Sequence, residues 1–257
     1  MSDANQKSAI VFGGSGGLGA GCVRALAREW PAVGIVYHNK RERAEAIAAE
    51  LPDSCRGYPV RCDTTDAGSV RAAIEEVAQA CGPIGCAVYS AGLAIDQPYI
   101  FEITESQWRD VFEAETIGFT RMLSVILPMF RQQGGGSIVA VTSMANTRVI
   151  VGDTISAAPK AAIEALCRGI AKEEGKFGIR ANTVAPGAMN SGLGEQYMAE
   201  RWTPEFWEKF RKSIPMRRFG TAEDIGEAAA FFASDRSSYF TGQSLIADGG
   251  YTLCPVR

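Results

Sequence analysis

The twelve-residue stretch SAIVFGGSGGLG, Ser8–Gly19, decides how this chain folds. Ser8 to Phe12 is a short apolar run, the pattern of a strand buried on both faces. Gly13, Gly17 and Gly19 follow at once, and an alanine-rich segment then predicts a helix to about Trp30, stopped by Pro31. A strand, a glycine turn and a helix in this order have one shared use. The turn is tight, its backbone can approach a pyrophosphate, and the helix N-terminus points its positive end at the anion. Glycine runs also occur merely to make turns. Placed after the first strand, this one predicts a dinucleotide site with Gly13, Ser15, Gly16, Gly17, Leu18 and Gly19 along the phosphates.

The same alternation runs outward from this unit. Strands are predicted at Val33–Tyr37, Tyr58–Cys62, Gly85–Tyr89, Ser137–Val141, Arg180–Val184 and Ser244–Ile246. Between them, helices are predicted at Lys40–Leu51, Ala67–Ala80, Ser106–Arg131 with a bend near Pro128, Ser156–Lys176 and Ala222–Ala233. Short apolar strands alternating with helices imply a parallel sheet covered on both faces by right-handed crossovers. The reading is a single α/β domain over 1–257, a doubly wound Rossmann fold. It carries a mobile, partly helical insertion at about 188–215 that bears Tyr197, Trp202 and Trp207.

Composition narrows the function. At 257 residues, with 46% hydrophobic and 21% charged residues, the chain can bury a large core. A net charge of −3 gives no reason to expect nucleic acid or an anionic membrane as partner. The seven cysteines lack metal-ligand spacing and read as buried thiols in a reducing compartment. His38 is the only histidine, which argues against histidine metal sites and a Ser-His-Asp triad; no metal is expected. The polar start runs straight into a strand, without a secretory apolar region or an apolar run of membrane-spanning length. A cytoplasmic location follows as the expectation.

Gly13-xxx-Gly17-x-Gly19 resembles the glycine motif of the short-chain dehydrogenase/reductases, with Phe12 where a threonine is usual. The resemblance covers essentially the whole chain. Asp63, followed by Thr64, resembles the family's adenine-contacting aspartate. Tyr89-Ser-Ala-Gly92 resembles its Asn-Asn-Ala-Gly motif with both asparagines replaced, which implies Ser90, Ala91 and Gly92 beside the cofactor. Asn182–Gly187 (NTVAPG) resembles the strand and turn beside the nicotinamide, implying roles for Thr142, Pro186, Gly187, Met189 and Ser191. Residues 218–250 resemble the C-terminal signature, and by resemblance alone imply a homotetramer. At the end of the second strand stand Tyr37, His38, Asn39, Lys40 and Arg41, with no carboxylate before Glu42. A carboxylate there would hold a ribose 2′-hydroxyl, whereas basic residues suit a 2′-phosphate, so the stretch favours NADP(H) over NAD(H). Lys40 and Arg41 would also be at home simply facing water, and Gly16 stands where many NADP-using relatives carry an arginine.

In the family, a serine after the fifth strand and a Tyr-xxx-Lys motif on the next helix move the proton, helped by an asparagine in the preceding helix. Alignment places Ser143 at the serine and Lys160 at the lysine, but Ser156 at the tyrosine and Glu115 at the asparagine. An aliphatic hydroxyl is several pKa units too weak an acid to stand in for a phenol. Ser156 is therefore expected to bind an acceptor atom or simply to fill a helix start. Glu115 is expected to pair with Lys160, to act as an acid, or to be a solvated helix residue. Lys160 retains a role on the nicotinamide ribose. Two branches of the family place their tyrosine elsewhere, at positions that here hold Ala145 or Asp153. Asp153 is thus another candidate acid, though a loop role beside Gly152 is as natural, and Tyr89, Tyr99 and Tyr197 are the remaining phenols considered. The favoured expectation is an NADP(H)-dependent oxidoreductase with a non-standard site. It would reduce a conjugated C=C, C=N or C=O group of a fairly hydrophobic small molecule, an acyl thioester among the options. The alternative is a protein that binds the dinucleotide without standard ketone reduction, as a cyclase, lyase, isomerase or regulator.

Overall fold

The computed structural model describes residues 7–96, 98–192 and 203–253. Seven parallel strands form one sheet in the order β3-β2-β1-β4-β5-β6-β7. They are β1 (Ser8–Phe12), β2 (Ala32–Tyr37), β3 (Arg56–Arg61), β4 (Ile84–Tyr89), β5 (Gly136–Val141), β6 (Ile179–Pro186) and β7 (Ser244–Ala247). The strand order reverses between β1 and β4, and in such sheets ligands bind beyond the carboxyl ends of the strands at that reversal. The turns after β1, β4, β5 and β6, which hold the candidate residues, all open there.

Two apolar cores cover the two faces. On one, Phe12 and Tyr89 of the sheet stack with centroids 5.8 Å apart, and Phe119 meets Tyr89 edge-on at 5.3 Å. Helices α3 (Ala67–Cys81), α5 (Gly118–Gln132) and α6 (Thr154–Glu174) close this side. On the other, α1 (Gly17–Leu26), α2 (Arg41–Ala49) and α8 (Ala222–Ala233) pack on Val11, Ile35 and Val88. Each large side chain fully buried in these cores contributes about 1.5–3 kcal/mol. Pro59 interrupts hydrogen bonding only in β3, an edge strand, where a missing N–H is tolerated.

The predicted alternation is present, with two main differences. The helix expected over Ser106–Arg131 is two helices, α4 (Glu105–Phe112) and α5, joined by a π-helical turn at Glu113–Ile117. Pro128 lies inside α5, where its missing N–H interrupts the bonding once, and the π turn around Glu115 is a second departure from regular α-helical bonding. The first helix ends at Leu26, short of Trp30. Within the insertion, Pro204–Ser213 forms a helix, α7, capped by Thr203 Oγ1, which accepts from the Phe206 N–H. Tyr197 and Trp202 lie outside the described residues. Among the described residues no helix is long and apolar enough to cross a membrane, and no cluster of metal-ligating side chains occurs. The six described cysteines are free thiols; burial pushes Cys22, Cys86 and Cys167 up to about 12, so they act as small apolar side chains.

Candidate functional site

The cofactor cradle begins at Gly13, whose φ of +73° opens the turn after β1. A side-chain carbon there would meet Ser90 O at 2.6 Å, so the β1 and β4 turns run backbone to backbone. The Ser90 N–H donates to Phe12 O at 2.9 Å and fixes that contact. Helix α1 starts at Gly17 with Gly16 as its cap, without a side-chain cap and without a carboxylate in its first turn. These open amides and the helix dipole fit a pyrophosphate. Ser191 and Gly192 face the cradle from the far side, for a carbon added at Gly17 would lie 2.5 Å from Gly192 Cα and 2.8 Å from Ser191 Oγ. The residues present therefore suit a dinucleotide, the anion at Gly13–Gly19 and the nicotinamide end toward Pro186–Gly192. Leu18 is half-buried, Ser15 buried, and Met189 buried in a bridge to Gly220.

At the adenosine end, β2 delivers Tyr37 into the core and leaves His38, Asn39, Lys40 and Arg41 exposed. Arg41 bonds Glu45 at 2.8 Å along its own helix, whereas the exposed Lys40 makes no ion pair among the described residues. Asp63 Oδ1 accepts from the Thr65 hydroxyl at 2.7 Å and the Thr65 N–H at 2.9 Å, bonds that hold its carboxyl below the usual range. Its other oxygen lies 3.7 Å from His38 Nε2. The Thr64 hydroxyl turns inward and donates to Ala114 O at 3.2 Å.

Three of the five predicted catalytic residues, Lys160, Glu115 and Ser156, lie together. Lys160 Nζ donates to Glu115 Oε2 at 2.6 Å and lies 3.3 Å from Ser156 Oγ and from Ser156 O. The helical spacing places Ser156 and Lys160 on one face of α6, and the π turn points Glu115 at that face. The Glu115 side chain is 1% exposed and that of Lys160 18%. Glu115 Oε1 has no hydrogen-bond partner. It lies behind the exposed Gly92, where an added carbon would sit 3.1 Å from it. Ser143 is at the end of β5, its oxygen accepting from the Ala145 N–H at 3.1 Å. Asp153 stands apart: it precedes α6 and lines a depression with Ala145, Asn146 and Ala157 that Ser156 and Lys160 do not line.

Of the three phenols considered above, the two among the described residues, Tyr89 and Tyr99, are poor replacements for a tyrosine beside Lys160. Tyr89 is 1% exposed and donates to Ala114 O at 2.9 Å. Burial, then the nearby Glu115 charge, pushes its ionisation far above the ordinary range. Tyr99 is 59% exposed and stacks on Phe101.

Several residues that shape the site carry no sequence signal of their own. Glu164, one turn beyond Lys160, accepts from Thr142 Oγ1 at 2.8 Å and Asn146 Nδ2 at 2.9 Å. It thereby ties the end of β5, and Ser143 with it, to α6. Arg148 donates to Tyr251 O at 2.5 Å and lies over the Tyr251 ring, 4.4 Å from its centroid. Tyr251 meets Phe210 of α7 at 5.1 Å, and Phe210 stacks on Phe219 at 6.3 Å. An aromatic wall thus joins α7 to the loop after β5.

Fold and cradle together define a dinucleotide-dependent oxidoreductase. The family model described as Enoyl-(Acyl carrier protein) reductase matches residues 13–252. The 3-oxoacyl-(acyl-carrier-protein) reductase FabG of Staphylococcus aureus is 31% identical over 245 residues, 95% of this chain and 97% of that protein. D-threitol dehydrogenase of Mycolicibacterium smegmatis is 33% identical over 250 residues, 96% of this chain and 93% of that one. Among solved structures, levodione reductase superposes with a TM-score of 0.91 at 26% identity, covering 98% of this chain and 99% of its own. A 7 alpha-hydroxysteroid dehydrogenase complexed with NADH and 7-oxo glycochenodeoxycholic acid gives 0.87 at 28%, covering 97% and 98%. The chain belongs to the short-chain dehydrogenase/reductase family and is an NAD(P)-dependent oxidoreductase.

Proposed function

We propose that this protein is an NADP(H)-dependent reductase whose acceptor does not need the family's tyrosine. The acceptor is a conjugated C=C, C=N or C=O group on a fairly hydrophobic small molecule, and the relatives that act on acyl-carrier-protein thioesters keep thioesters within range. One observation carries the reading. The Lys160 ammonium is bonded to a buried carboxylate, Glu115, with a serine hydroxyl beside it where the family has a phenol. Such a cluster can hold a ribose hydroxyl and an acceptor atom, but it lacks a group acidic enough to protonate an alkoxide as it forms. The bound cofactor would supply the hydride. Lys160 holds the ribose, Ser143 and Ser156 orient the acceptor, and the aromatic wall at Phe210 and Tyr251 keeps water away from it. Lys40 supports the preference for a 2′-phosphate. The cytoplasmic location and the homotetramer belong to the same proposal, by family resemblance.

Single-turnover oxidation of NADPH against ketones, enones and imines tests it. The expected result is turnover of at least one conjugated acceptor or imine, with NADPH preferred over NADH. Tight NADPH binding with no hydride transfer to any of the panel would overturn the reading in favour of a binding or non-redox role.

A further inference from the structure

We infer that the acceptor is a preformed iminium cation, a C=N group carrying its positive charge before hydride arrives, with Glu115 as the residue that lets the site admit it. The inference rests on the reductase reading above and names its substrate class.

With lysine alone the site would present an ammonium to its substrate, and a cation would be repelled. Here Glu115 Oε2 bonds that ammonium at 2.6 Å, and the pair is neutral. The carboxylate has a second oxygen, Oε1, that is buried and unpartnered. Leaving a buried charged oxygen unbonded costs free energy, so its retention calls for a function. It lies just behind exposed Gly92, at the mouth of the cleft between the β4 turn and α6. With the cofactor seated against Gly92, a cation on the substrate side of it would still feel that oxygen's charge across a thin, poorly solvated layer.

The chemistry agrees. The iminium carbon accepts the electron pair with its hydrogen from the reduced nicotinamide, forming a C–H bond. The C=N π pair withdraws onto nitrogen, which becomes a neutral amine, and the positive charge reappears on the oxidised nicotinamide. No proton is consumed in the step, so no phenol is required. The net charge of the pocket is also unchanged, so the Glu115 carboxylate faces one positive charge before the transfer and one after it. A ketone, by contrast, becomes an alkoxide and needs an acid at once.

Three apolar acceptors of similar size test this on the wild-type enzyme: the N-methyl dihydroisoquinolinium cation, tetralone and cinnamaldehyde, each with NADPH and corrected for uncatalysed oxidation. The cation is expected to show a kcat/KM at least about tenfold above both neutral acceptors. Turnover of tetralone or cinnamaldehyde without turnover of the cation would overturn the iminium assignment and leave the reductase reading standing. NADPH binding with no turnover of any of the three would overturn both. A second readout needs no turnover: quenching of tryptophan fluorescence as each compound is titrated into the cofactor-free protein. The cation is expected to bind more tightly than tetralone, with Glu115→Gln weakening it about tenfold and Glu115→Asp restoring most of the loss. Equal binding of the cation by wild type and Glu115→Gln would overturn the role given to Glu115. Should Glu115→Gln fail to fold, the wild-type comparison of charged and neutral acceptors still decides.

Discussion

Lys160 and Glu115 form an ion pair across 45 residues of sequence, Nζ to Oε2 at 2.6 Å, with the carboxylate 1% and the ammonium 18% exposed. Such a pair is expensive to break from one side, because the surviving charge is left in a poorly solvated place. Lys160→Met and Glu115→Leu should each destabilise the fold by about 3 kcal/mol. The double variant should lose much less than the sum of the two, since no charge is stranded. Urea denaturation of the four proteins measures this directly, and simple additivity would show that the pair is not coupled.

The second prediction concerns the cofactor. Arg41 is bonded to Glu45 while Lys40 is not so engaged, although sequence treats the two as one basic cluster. Lys40→Glu should shift the ratio of NADPH to NADH affinity by roughly tenfold or more toward NADH, because it places a carboxylate where a ribose 2′-hydroxyl would bond. Arg41→Ala should change that ratio less. Fluorescence titration of the two cofactors distinguishes these outcomes.

These two cases show what could be read from sequence and what could not. The sheet, its helices and the glycine turn were legible because they rest on local periodicity and on Gly13, Gly17 and Gly19 at a fixed place. Ser143, Ser156, Lys160 and Glu115 were found by counting along motifs. The choice among the readings of Glu115 was not legible, since it depends on the π turn at Glu113–Ile117, and a local widening of the helical repeat leaves no sequence mark. Glu164, Arg148 and Tyr251 were missed for a related reason. Their partners lie 18 to 103 residues away, and each is an ordinary residue in its own neighbourhood.

A third prediction follows the loop that faces the cradle. Met189 bridges Gly220, and Thr221 next to it caps α8 in a reciprocal pair with Asp224. Asp224 also receives two bonds from Arg218, at 2.6 and 2.9 Å, and these hold its carboxyl down to about 2. A carboxyl depressed in the folded state stabilises above its unfolded value, and the effect fades as pH falls through the folded one. Asp224→Asn should therefore be about 1 kcal/mol less stable near neutral pH, a modest figure because the pair is partly exposed. The gap should narrow as pH drops from about 4 toward about 2. Thermal melts over that window check it; a gap that widens on acidification would contradict the assignment.

The last prediction returns to Ser156. Its Oγ lies 3.3 Å from Lys160 Nζ, so a phenol introduced there would stand beside the ammonium that lowers such a group's pKa in the family. Ser156→Tyr alone should nevertheless gain little ketone reduction. Glu115 holds the ammonium at 2.6 Å, and its negative charge opposes ionisation of a neighbouring phenol. Removing that charge with the asparagine found in the family should release the lysine to the new tyrosine. Ser156→Tyr with Glu115→Asn should therefore reduce tetralone at least about tenfold faster than Ser156→Tyr alone, a difference of about 1.4 kcal/mol in barrier. The readout is initial-rate NADPH oxidation after a melting check on each variant. If the single variant matches the double one, Glu115 does not restrain Lys160, and the ion pair contributes to stability without shaping the chemistry.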